Sequence, residues 1–319
     1  MFHKQLTRLV NGHYRSFSTS ALRFKELNNI TVVGAGLMGS GIAQVAAQAN
    51  CNVTVVDTSN ASLENGKTII SRSLQRVARK KFADNEDQQK EYISKVLANI
   101  HLTTDANASV RNADLVVEAI VENIETKHKL FESMDQSAPQ HTIFCSNTSS
   151  LSIRSIADAT SPERQKRFAG LHFFNPVPAM KLVEIVRTDR VTREVLQDLN
   201  DFAKKIGKTP VACKDTPGFI VNRLLVPYMM EAFRIVDRGE ASIPDIDTAM
   251  KLGAGMPMGP LELADLVGLD TMKSIVDGWA DKKALDPSIT QPSPTLEELC
   301  AKGDFGRKSG KGFYDYSKQ

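Results

Sequence analysis

The chain has 319 residues, 41% hydrophobic and 24% charged, with a formal net charge of +3, an ordinary balance for a globular protein of two domains or one large one. No apolar run reaches the roughly 18 residues of a membrane-spanning helix. The four cysteines, Cys51, Cys145, Cys213 and Cys300, lie far apart with no C-x-x-C pair or His cluster, so they read as reduced, mostly buried thiols rather than disulfides or metal ligands.

Residues 1–25 differ from the rest. They carry Lys4, Arg8, Arg15, Arg23 and Lys25, several serines and no acid, the composition of a mitochondrial transit peptide. Arg15-Ser16-Phe17-Ser18 resembles a matrix-processing site. Without those five positive charges the +3 becomes −2 (3 − 5), so the remaining body is near neutral. Nothing in it points to a nucleic acid or a membrane surface.

The body starts with Ile30-Thr31-Val32-Val33-Gly34-Ala35-Gly36-Leu37-Met38-Gly39. A β-branched strand runs through G-x-G-x-x-G into a helix, which is the dinucleotide fingerprint in its strand–turn–helix setting. Gly34 suits the tight turn, Gly36 the approach of a pyrophosphate, and Gly39 close helix packing. A second strand, Asn52–Val56, ends on Asp57, where an NAD site places a carboxylate for the ribose hydroxyls. Its charge disfavours the extra phosphate of NADP, so the expected cofactor is NAD.

A helix over 61–82 follows, with Leu63, Ile69, Ile70, Leu74 and Val77 on one face and a basic second half, Arg72, Arg76, Arg79, Lys80 and Lys81. Such a run is ordinarily a solvated face; the alternative is a dock for a polyanionic substrate. Ser73 and Lys80 share one face. Next come a helix over 91–98, a strand at 100–102 and a buried parallel strand at 114–120. Glu122 lies just past that strand, where open α/β sheets bind ligands. Lys127 follows on a helix over 124–138. For both, a solvated helix-terminal charge is an equally good reading.

The strand 142–146 delivers Asn147-Thr148-Ser149-Ser150 to the same sheet edge, as helix caps or as ligand contacts. A strand-like run Phe168–Pro176, ending at a proline turn, and a strand at Lys181–Val186 are placed to bring His172 beside Glu184. A helix over 193–206 and a strand at 210–213 complete the sheet. After Asp215-Thr216-Pro217-Gly218 the strands stop. Helices are expected over 224–238, 246–250, 261–267 and 272–285, which makes an α/β Rossmann-type domain with a mostly parallel sheet at 26–215 and an all-α domain at 216–319. A hydride transfer to NAD needs a base for the substrate hydroxyl, and His with an orienting carboxylate meets that need. His172 with Glu184 fits, although a lone His on an apolar strand is more often structural.

Together, Gly34–Gly39, Asn147–Ser150, His172-Phe173-Phe174-Asn175-Pro176, Asp215–Phe219 and Asn222-Arg223 resemble the L-3-hydroxyacyl-CoA dehydrogenase family over residues 28–316, and its mitochondrial short-chain branch most closely. The resemblance implies a His172 base oriented by Glu184, with Ser149 and Asn222 holding the substrate oxygen. It implies NAD contacts from Gly34, Ala35, Gly36, Leu37, Met38, Gly39, Asp57, Glu122, Lys127, Ser149, Asn175 and, more weakly, Lys308, and coenzyme A contacts from Ser73, Lys80 and Ser149. It further implies a homodimer through the helical domain, a role in β-oxidation and a place in the mitochondrial matrix. The run between Ala159 and Phe168 is longer than the family's pattern and reads as a loop. Two other readings are a free hydroxy-acid or sugar-acid dehydrogenase of the lambda-crystallin-like branch and a non-catalytic binding protein on the same fold.

Overall fold

The computed structural model describes residues 26–317 except Asp84, so the expected transit peptide lies outside the described residues. The β-branched run forms β1 (Asn29–Val33), buried from Ile30 onward, and turns into α1 (Leu37–Gln48). β2 (Asn52–Val56) leads into α2 (Asn60–Phe82), and α3 (Glu86–Ala98) returns against it. β3 (Ile100–Thr103) and the short α4 (Ala106–Ser109) follow. β4 (Leu115–Glu118), α5 (Ile124–Ser137) and β5 (Ile143–Ser146) continue the alternation, and α6 (Ile153–Ala157) and α7 (Pro162–Gln165) join β5 to β6 (Phe168–Phe173). β7 (Leu182–Arg187), α8 (Arg193–Lys205) and β8 (Thr209–Lys214) end the sheet. The remainder is helical: α9 (Val221–Asp237), α10 (Ile243–Gly253), α11 (Pro260–Val267), α12 (Leu269–Asp281) and α13 (Pro294–Lys302).

The sheet runs β3-β2-β1-β4-β5-β6-β7-β8. Every pairing is parallel except β6 with β7. The order reverses between β1 and β4, the crevice where open α/β sheets take ligands beyond their strand ends. Apolar side chains from the two faces form two cores, one under α1, α2 and α8 and one under α5 and α6, and the helical region has its own around Phe233, Met272 and Trp279.

Several element ends differ from the sequence expectation for local reasons. α3 starts at Glu86 rather than 91, because Asn85 accepts from the Gln88 N–H and two acids follow in the first turn. α9 starts at Val221 rather than 224, since a carboxylate from β7 caps it (below). α12 runs 269–281 rather than 272–285. α13 was not expected: Ser293 caps it and Pro294 opens it, a start signal hidden in a proline-rich stretch. The 159–168 loop holds α7, whose buried Arg164 pairs with Asp135 at 2.8 Å and reaches the carbonyls of Ala138 and Pro139. Cys51 and Cys145 are buried, whereas Cys213 and Cys300 are half-buried.

Candidate active site

The glycine turn is built as a close-fitting cradle. Gly34 sits at φ +108°, and a Cβ there would stand 2.5 Å from the Ala119 carbonyl oxygen. A Cβ at Gly39 would stand 1.8 Å from the Gly34 oxygen, so only glycine lets α1 approach β1. At Gly36 a Cβ would meet nothing, which leaves that backbone open to a ligand. No side chain caps α1, so its N-terminal N–H groups suit a phosphate. Asp57 accepts from the Ala35 N–H at 2.8 Å and the Thr58 N–H at 2.7 Å, which fixes its carboxylate against the turn. These features fit a pyrophosphate and ribose at this edge.

The antiparallel pairing of β6 and β7 sets His172 directly opposite Glu184. His172 Nδ1 lies 2.7 Å from Glu184 Oε2, and His172 Nε2 lies 2.9 Å from the Ser149 hydroxyl. Both dyad members are buried, and the Phe174 and Phe219 rings pack on the imidazole at 4.6 and 5.4 Å between centroids. An ionised Glu184 only accepts, so Nδ1 carries the hydrogen and Nε2 is left to accept a proton. Glu184 Oε1 accepts from the Ile220 and Val221 N–H groups at 3.1 and 3.0 Å. One carboxylate thus holds the imidazole and caps α9 across the strand–helix boundary. Burial pushes Glu184 up, but the His172 hydrogen bond, the Val221 and Ile220 N–H groups and the imidazole charge outweigh it and hold the carboxyl below its ordinary value.

A cavity of about 340 Å³ opens at the strand ends. Met38, Glu122, Lys127, Ser149, Asn175 and Asn222 line it with His172. It therefore gathers the expected base, its serine and asparagine partners, and part of the expected cofactor set. A larger one, about 690 Å³, shares Ser149 and Glu122 with it and runs between the Leu151–Phe219 region and α12, where Ile275 and Trp279 form a wall. Lys127 is not a solvated helix charge: it is buried against Glu118 at 2.6 Å and lies 3.4 Å from Glu122.

Of the expected residues, Gly34, Ala35, Gly36, Leu37, Gly39, Asp57 and Glu184 border the site without lining either cavity, and Ser73, Lys80 and Lys308 line neither cavity as well. Ser73 is half-buried and Lys80 exposed on α2, with Arg72, Arg76 and Arg79 exposed beside them. Lys308 pairs with Asp270 at 2.5 Å, and Asp270 lines the larger cavity. The sequence reading missed Glu118, which lines the smaller cavity although wholly buried. Its signal was an acid ending the apolar run Leu115-Val116-Val117. Burial, with the nearby Glu184 and Asp215 charges, pushes the Cys213 thiol up to about 12.

A glycine cradle at the switch point of a doubly wound sheet, with a helical region closing the cleft, defines an NAD-binding dehydrogenase. The chain belongs to the 3-hydroxyacyl-CoA dehydrogenase family. The family's NAD binding domain matches residues 29–216 and its C-terminal domain residues 218–316. The human mitochondrial hydroxyacyl-coenzyme A dehydrogenase is 55% identical over 98% of this chain and 99% of its own length. A probable 3-hydroxyacyl-CoA dehydrogenase of Caenorhabditis elegans is 54% identical over 98% and 99%. The crystal structure of (S)-3-hydroxybutyryl-CoA dehydrogenase from Ralstonia eutropha has a TM-score of 0.85 at 40% identity, covering 92% of this chain and 100% of that one. The protein is thus an NAD-dependent 3-hydroxyacyl-CoA dehydrogenase, as the sequence reading held.

Proposed function

We propose that the protein oxidises L-3-hydroxyacyl-CoA to 3-oxoacyl-CoA in fatty-acid β-oxidation, with the His172–Glu184 dyad as general base. The observation that carries this reading is His172, held between Glu184 and Ser149 in the wall of the strand-end cavity. NAD, when bound, supplies the hydride acceptor for the substrate's C3. Gly34–Gly39 and Asp57 would hold its pyrophosphate and ribose, and Glu122, Lys127, Ser149 and Asn175 would hold the rest of it. His172 Nε2 takes the 3-hydroxyl proton, and Glu184 keeps the Nδ1 hydrogen in place and stabilises the imidazolium that results. The Ser149 hydroxyl and Asn222 hold the substrate oxygen through the change from alcohol to carbonyl. A chiral pocket of this kind accepts one hand at C3, so NADH is expected from L-3-hydroxybutyryl-CoA and not from the D-enantiomer. Equal rates with both would remove the proposed arrangement.

The exposed basic face of α2, including Lys80 with Ser73 beside it, suits the phosphates of coenzyme A. The larger cavity gives room beyond Ser149 for the rest of the substrate. The division at 215–216 is carried over as a dinucleotide domain and a helical domain. The human relative is named mitochondrial, and the basic, acid-free residues 1–25 agree with import to the matrix.

Homodimerisation is supported by an apolar face on the helical domain. Leu224, Leu252, Leu266 and Val267 on α9, α10 and α11 are all exposed, Leu252 by 83%. A patch of that kind in water marks a covered surface. Light scattering is expected to give twice the 35.1 kDa chain mass, and L252D/L266E to return it to one chain. A wild-type monomer would remove this part of the reading.

A further inference from the structure

Glu118 ends β4 fully buried, yet it lines the smaller cavity. A carboxylate taken out of water persists only when paired and hydrogen-bonded, and Glu118 has three donors. Oε1 accepts from the Ile120 N–H at 2.7 Å and the Lys127 ammonium at 2.6 Å, and Oε2 accepts from the Ser146 hydroxyl at 2.6 Å. Its strand neighbours are Val33 of β1, the residue before Gly34, and Ser146 of β5, the residue before Asn147. The side chain therefore stands between the glycine turn and the segment that carries Ser149.

Both polar partners lead into the site. Lys127 also lies 3.4 Å from Glu122 Oε2. Glu122 in turn accepts from the Thr148 hydroxyl at 2.9 Å and the Ser149 N–H at 3.0 Å. On the second route, the Ser146 hydroxyl accepts from the Thr148 N–H at 3.2 Å. One chain of contacts thus runs from Glu118 to Ser149, whose hydroxyl meets His172, and a second runs to its chain neighbour Thr148. An apolar residue at this strand end would leave the Ile120 N–H, the Lys127 ammonium and the Ser146 hydroxyl without this acceptor, so the carboxylate holds all three at fixed points.

We infer that Glu118 is a positioning residue for the dehydrogenase reaction, fixing the Lys127 ammonium on the cofactor side of the cleft and the Ser146–Ser149 turn on the substrate side. This rests on the proposed function for the placement of NAD and thioester in that cleft. It assigns Glu118 no contact with the reacting atoms.

The test is a double-mutant cycle on E118Q, K127M and the pair, reading NADH affinity by fluorescence, KM and kcat for the thioester, and Tm. E118Q is expected to weaken NADH binding about tenfold or more, as for loss of a hydrogen bond to a charged group. The pair is expected to bind no worse than K127M alone, because Glu118 acts through the ammonium. S146A leaves both charges in place and is expected to lower kcat severalfold with NADH affinity unchanged. A lowered Tm with unchanged NADH affinity, KM and kcat would overturn the inference and leave Glu118 a sheet residue. Additive losses in the pair would overturn it too. If E118Q does not fold, the decision passes to S146A: the lowered kcat supports the inference, and wild-type kinetics overturn it. Failure of the wild type to turn over any thioester would strike the proposed function instead, and the NADH arm of the cycle would still stand.

Discussion

Replacing His172 with Gln is expected to lower kcat by about 10²–10⁴-fold, the range for loss of a positioned general base, while NADH still binds. The side chain keeps a hydrogen-bonding amide of similar reach, so Glu184 and Ser149 retain a partner. What disappears is the ring nitrogen proposed to take the substrate's proton. The cofactor's phosphates and ribose are proposed to rest on the glycine turn and Asp57, which belong to β1, α1 and β2 rather than β6. Fluorescence titration with NADH and a turnover assay separate the two effects. If the variant loses NADH binding along with turnover, His172 is holding the cleft together and its role as base fails.

Glu184→Gln is expected to be nearly as damaging, at about 10³–10⁴-fold in kcat by analogy with neutralising the acid of a Ser-His-Asp triad. The Gln carbonyl can still accept from Ile220 and Val221, so α9 keeps its cap. Its amide then faces Nδ1 as a donor, which forces the hydrogen onto Nε2 and blocks the base. The same change carries a pH signature in stability. The folded protein holds the Glu184 carboxyl below its ordinary value of 4.5. A depressed carboxylate contributes stability that is fully present above pH 4.5 and is lost as pH falls through the lower folded value. Urea unfolding of wild type and variant across that window is expected to show a gap that closes as the solution becomes more acid. A gap that widens instead would mean that the buried charge destabilises the fold and is not compensated by its partners.

Much of this site was legible in the sequence because its parts are local. The G-x-G-x-x-G turn needs glycine at fixed offsets, and the Cβ clashes at Gly34 and Gly39 show why. The His172–Glu184 contact was readable as two short strands joined by a proline turn, which the antiparallel register then set face to face. The long-range parts were not readable. The cap on α9 comes from Glu184, 37 residues upstream of Val221, so no local signal could give its start. Lys127 looks like a surface charge in its helix, and only the fold shows Glu118 beneath it. The start of α13 was written in Ser293-Pro294 but masked by neighbouring turn residues. Ser73 and Lys80 show the limit from the other side: the helix and its basic face form as expected, while both stand apart from the two cavities.

The most direct measurement is NADH formation at saturating NAD with L-3-hydroxybutyryl-CoA, run in parallel with free L-3-hydroxybutyrate. The account predicts turnover with the thioester and none with the free acid, because the basic α2 face and the larger cavity are read as the means of holding coenzyme A and the body of the substrate. Turnover with the free acid alone would contradict it and place the chemistry with the hydroxy-acid branch of this fold. NADH binding without turnover of either compound would contradict the assignment of the His172–Glu184 dyad as a working base.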